Sequence, residues 1–132
     1  MKKLVLIFAL FAIATIPSKA QGCMTGKSYW QVESSLGSSV TSSGIDDNGQ
    51  PFIMAESSSS SAMYFFDDDE YCIVSYVFPS SQSAFDTMLE KFNDSYTADG
   101  DGRWTFYDYG VDRQITVVIE TTDDNTVYFG YY

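Results

Sequence analysis

Ten tyrosines, no histidine and several short runs of acid set the chemistry open to this chain. Without histidine, the usual nucleophile–base triads, histidine metal ligands and the commonest general base are closed to it. No glycine-rich phosphate loop follows a strand-like run. Glycoside hydrolysis needs only two carboxylates, and Glu33, Glu56, Glu90 and Glu120 are the glutamates available, but no spacing singles out a pair. A small glycan-acting enzyme is therefore the minor reading, and catalysis is not the expectation.

The aspartates gather at Asp46-Asp47, Asp67 to Glu70, Asp99 with Asp101, and Asp123-Asp124. Calcium takes several oxygen ligands on a bent loop. Asp94, Asp99 and Asp101 come closest to such a set, with Gly100 and Gly102 allowing tight bends, but Arg103 stands where an EF-hand would place a ligand. Asp, Asn and Gly also favour turns for backbone reasons alone. Solvated turns are the expectation, and no cofactor is required.

The tyrosines are more suggestive. In the last three strand-like segments, one alternation register collects Trp104, Phe106, Ile115, Val117, Ile119, Val127, Phe129 and Tyr131, a core face. The other collects Tyr107, Tyr109, Val118, Tyr128 and Tyr132. A second face bearing Tyr107, Tyr109, Tyr128 and Tyr132 suits half-wet recognition of a glycan or a protein. The same residues also have a structural reading, since tyrosine is a good strand former and pairs well across exposed strands.

Residues 1–20 read as a secretory signal peptide. Lys2 and Lys3 precede an apolar run from Leu4 to Ile16, Pro17 breaks it, and Ser18-Lys19-Ala20 supplies the small residues of a cleavage site. The run is too short to span a bilayer, which takes about 20 residues, and no later segment is apolar enough. Residues 21–132 then form one exported domain, in a periplasm, envelope or extracellular space. The leader holds three of the seven lysines and arginines, so four cations face all eighteen acids in the remainder. Such a surface repels nucleic acid and anionic membranes and suits neutral or cationic partners.

Cys23 and Cys72 are the only cysteines. Behind an export signal an even pair reads as a disulfide. The rival reading lipidates Cys23, with Gly22 fitting a lipobox while Gln21 and Lys19 fit it poorly.

The scaffold follows from periodicity. Gly26 to Leu36 is a short helix, with Tyr29, Val32 and Leu36 on one face and Gly37 as its stop. Residues 34–43 are rich in serine and glycine and read as loose chain. Asp46-Asp47-Asn48-Gly49 is a hairpin turn; strands follow at 51–56, 62–66 and 71–78, interrupted by the serine run 57–61. Phe85, Met88, Leu89 and Phe92 sit at i, i+3, i+4, i+7, which predicts an amphipathic helix over 81–95. Strands at 103–109, 114–120 and 126–132 close the chain as a meander.

The spacing of Gly26, Ser28, Gln31, Val32, Leu36 and Gly37 resembles the first-helix motif of small exported domains, those of the outer-membrane assembly lipoprotein BamE and the beta-lactamase inhibitory proteins. The resemblance covers twelve residues.

The fold class expected is α+β: a single antiparallel sheet of about five to seven strands with two helices packed on one face. The function expected is that of an exported, non-catalytic binding module using a tyrosine-rich sheet face or acidic loops, or else an inhibitor-like domain that docks on another protein.

Overall fold

A computed structural model describes residues 22–132. The leader-like stretch 1–20 lies outside the described residues. The chain runs α1 (Tyr29–Leu36), a 3-10 turn (Gly37–Ser39), β1 (Val40–Ile45), β2 (Pro51–Glu56), β3 (Ser60–Phe66), β4 (Cys72–Pro79), α2 (Gln82–Ser95), β5 (Thr97–Ala98), β6 (Arg103–Asp108), β7 (Arg113–Thr121) and β8 (Val127–Tyr131). All eight strands form one antiparallel sheet in the order β1-β2-β3-β4-β8-β7-β6-β5. The class is α+β, but the expected five to seven strands is corrected to eight. The additions are the two sheet edges. β1 is exposed along nearly its whole length, so it shows no burial period, and β5 is two residues long.

Both helices pack on one face. Val32 and Leu36 of α1 and Phe92 of α2 join Ile53, Tyr64, Phe66, Val77, Trp104, Ile115, Val117, Phe129 and Tyr131 in a single core, with Phe85, Met88 and Leu89 against it. Phe92 is held by four rings: Tyr96, Trp104, Phe129 and Tyr131, with centroids 5.0–6.2 Å away. Val127, expected in this core, is exposed where β8 begins.

Each half of the chain is one helix followed by a four-stranded meander, and the last strands of the halves, β4 and β8, meet at the centre. The local devices repeat as well. Ser28 caps α1 by accepting from Gln31 N, and Ser81 caps α2 by accepting from Ala84 N. Four hairpin turns, starting at Asp46, Asp67, Asp99 and Thr122, share one backbone bond from N of the first residue to O of the fifth, at 2.9 Å in each. In all four the fourth residue is left-handed: Gly49, Glu70, Gly102 and Asn125. This is a tight turn closed by a left-handed bulge residue. The pattern is that of an approximate twofold axis through the β4–β8 seam.

That seam has three rungs, Ser75–Tyr131, Tyr76–Gly130 and Val77–Phe129. A buried relay locks the segment 24–25 across it. Ser75 Oγ accepts from Met24 N (3.0 Å) and lies 3.0 Å from Thr25 Oγ1, which donates to Tyr131 O at 2.8 Å.

Candidate functional site

The strand alternation that buries Ile53, Val77, Val117 and Phe129 turns the intervening side chains to the face without helices. The pairing registers set them in rows. One row runs Met54–Met63–Tyr76–Gly130–Val118, and a neighbouring one Glu56–Ser61–Phe78–Tyr128–Glu120, with Phe78 opposite Tyr128 by continuation of the β4–β8 register. Around Gly130 the rings interlock. Tyr76 stands edge-on to Phe65, Tyr128 and Tyr132 at 5.5–6.3 Å, and Phe78 stacks on Tyr128 at 4.7 Å.

Gly130 makes this ledge possible. A Cβ there would meet Glu120 Oε1 first and would stand 2.8 Å from Cε2 and 3.0 Å from the hydroxyl of Tyr132, so the ring and the carboxylate it binds lie over bare backbone. Its hydroxyl donates to Glu120 Oε1 at 2.7 Å. Burial, then this bond, holds the Tyr132 phenol well above its ordinary pKa. Burial also raises the Tyr128 phenol, with Glu120 adding to the effect.

The four expected tyrosines do not form one patch. Tyr128 and Tyr132 belong to the ledge. Tyr107 lies on the same face of β6, across from Gln114, and packs on Tyr109 in the following turn at 4.8 Å. Its hydroxyl donates to Asp112, which raises its pKa. Sequence reasoning missed Phe65, Tyr76 and Phe78, because only the last three strands were laid side by side. Extending the same alternation through β3 and β4 would have found them.

The glutamates are dispersed. Glu33 is on α1 and Glu90 on α2. Glu56 and Glu120 share a row but stand four strands apart, about 19 Å at the usual strand spacing and beyond the separation of a glycosidase pair. Asp94 falls near the end of α2 and Asp99 and Asp101 in the β5–β6 turn, all exposed. Among the described residues no group of three or more Asp, Glu or Cys is placed to hold a metal ion.

The expected Cys23–Cys72 bond is corrected: both residues are free thiols. Cys72 Sγ donates to Val74 O at 3.3 Å. Burial pushes the Cys23 thiol up to about 12 and the Cys72 thiol up to about 11, which keeps both protonated and unreactive. No helix among the described residues is long and apolar enough to cross a membrane.

On the helix face, a groove of about 400 Å³ runs between α2 and the serine loop, with Ser59, Ser83 and Lys91 at its rim and Met88 and Phe92 below. No glutamate lines it. No protein-family model, curated protein or solved structure matches this chain.

Proposed function

We propose that the chain is an exported, non-catalytic binding module that docks on another protein through the helix-free face of its sheet. The observation that carries this reading is the ledge itself. One face of the sheet is filled by both helices, while the other presents Met54, Met63, Phe65, Tyr76, Phe78 and Tyr128, which no described helix covers. Tyrosine, phenylalanine and methionine are the side chains enriched in interface cores. The ring geometry favours a protein over a glycan. Sugar stacking needs open ring faces, whereas Tyr76 turns its ring edge-on to three neighbours. The leader supports export, and the acid excess supports a neutral or cationic partner.

The test is a pull-down from the native envelope or culture fluid with residues 21–132 as bait, beside a Met63→Lys variant and a Glu90→Lys control on the exposed side of α2. A partner recovered by parent and control and lost by Met63→Lys supports the reading. A partner held equally by all three ends it.

A further inference from the structure

We infer that one end of the sheet is a docking surface for a protein surface rich in lysine and arginine. This rests on the binding-module reading but uses a different surface. Of the eight large apolar side chains left exposed among the described residues, six lie at this end: Trp30, Ile45, Tyr71, Ile73, Tyr107 and Tyr109, from 43% to 86% exposed. The chain brings them together there. The segment before α1 pairs with the β3–β4 turn through Gly26 N to Cys72 O, Cys72 N to Lys27 O and Tyr29 N to Glu70 O, at 2.7–2.8 Å. The β1–β2 turn shares a cleft with Ile73, and Val111 of the β6–β7 turn lies against Gly26.

The repeated architecture supplies an internal control. Counting from the two helix caps and the matching turns, Trp30 corresponds to Ser83, Ile45 to Ala98, Tyr71 to Thr126 and Tyr109 to Glu56. The opposite end, built on the same frame, is therefore small or polar at these four positions. The fold does not require exposed tryptophan, isoleucine and tyrosine there. Trp and Tyr are the residues that most often anchor interfaces.

The charge at this end selects the occupant. The turn carboxylates of Asp46 and Asp67 are consumed by backbone N–H groups at 2.9–3.0 Å. Asp47, Asp68 and Asp69 beside them are exposed, and their carboxylates accept no hydrogen bond and pair with no cation among the described residues. Lys27 and Arg113 are the cations nearby. Three unspent carboxylates on the β1–β2 and β3–β4 turns, at the same end as the exposed rings, are complementary to Lys and Arg, whose stems pack on rings while their heads meet acid.

A random peptide library displayed against the intact domain tests this. Enriched peptides should be rich in Lys and Arg with apolar neighbours, and synthetic copies should lose affinity as salt rises. Trp30→Ser/Tyr71→Thr/Tyr109→Glu places the other end's residues here and should keep the parent's circular dichroism while binding at least about tenfold more weakly. Asp47→Asn/Asp68→Asn/Asp69→Asn keeps the rings and should also weaken binding about tenfold. Enrichment of neutral or acidic peptides, or binding indifferent to both sets, overturns the inference. So does a parent that sediments as a dimer which the first variant dissociates, because the occupant is then a second copy. Loss of binding by Met63→Lys alone overturns it while leaving the helix-free face as the docking site. Failure to enrich any peptide over an unrelated acidic protein overturns both.

Discussion

Gly130→Ala tests the ledge directly. The new methyl would overlap Glu120 Oε1 and stand 2.8 Å from the Tyr132 ring, closer than carbon atoms approach, so the ring and the carboxylate it holds must swing out. Three terms then follow. The hydroxyl bond to Glu120 at 2.7 Å, formed in a partly wet place, is worth about 1 kcal/mol. The edge-on contact with Tyr76 at 6.3 Å is worth about 0.5–1.5 kcal/mol. Against these, replacing a strand glycine recovers about 0.5–1 kcal/mol of backbone entropy. The net expectation is destabilisation of about 1 kcal/mol. In a Tyr132→Ala background there is no ring to displace and the Glu120 carboxylate, released from its hydroxyl, can turn away, so the same change should be neutral or stabilising by about 0.5 kcal/mol. Urea unfolding of the four proteins closes the cycle, with a coupling energy of about 1.5–2 kcal/mol expected for residues in contact. Equal costs in both backgrounds would refute the claim that Gly130 exists to seat the ring.

Other expectations concern the core, the turns and the thiols. Phe92→Ala should cost about 3–5 kcal/mol in the same assay, toward the upper end because four rings surround Phe92; a loss below about 1 kcal/mol would contradict its place in the core. Glu70 is left-handed at φ 66°, a conformation that costs a side-chain-bearing residue about 1–2 kcal/mol, so Glu70→Gly should raise the melting temperature and Glu70→Val lower it. Thiol labelling should be slow in the folded protein and reach two per chain after denaturation without reductant. Burial raises both thiols from 9.0, to about 12 for Cys23 and about 11 for Cys72, so the folded state holds their protons more tightly. Their contribution is full below pH 9 and is lost as pH rises through 11 and 12, so Cys72→Ala should flatten the alkaline limb of a stability–pH curve.

The elements with a buried face were legible. The Phe85–Phe92 spacing placed α2 within a residue of its observed start, and β2 was read at its observed bounds because the Asn48-Gly49 turn and Pro51 mark where it begins. β1 was not legible. Val-Thr-Ser-Ser-Gly-Ile has almost no buried side, and pairing with β2 makes it a strand, which no local pattern records. Both halves read as a helix followed by strands, but no residues match between them, because the halves share caps and turn geometry rather than apolar identities. Of the site, alternation put Tyr107, Tyr128 and Tyr132 on the helix-free face, where Tyr128 and Tyr132 join the ledge. The split from Tyr107 and Tyr109 depends on the strand order, which puts β7 and β6 beyond β8. The disulfide expectation came from compartment and cysteine parity, neither of which knows that Cys72 turns into the core beside Ser75.

The three rungs between β4 and β8 have a consequence for folding and assembly. Each half carries its own helix and its own meander, and the connection between them is only Ser80 and Ser81, capping α2. Local opening at the Thr25–Ser75–Tyr131 relay parts the sheet between its two halves, along a line of only three rungs, and bares two complementary strands rather than one edge. Two chains opened in this way can close on each other, β4 of one against β8 of the next, and rebuild the same eight-stranded sheet from exchanged halves. Concentration and refolding conditions then decide between monomer and swapped dimer, and hydrogen exchange at Val77 and Phe129, which pair across the seam, reports the opening that precedes both.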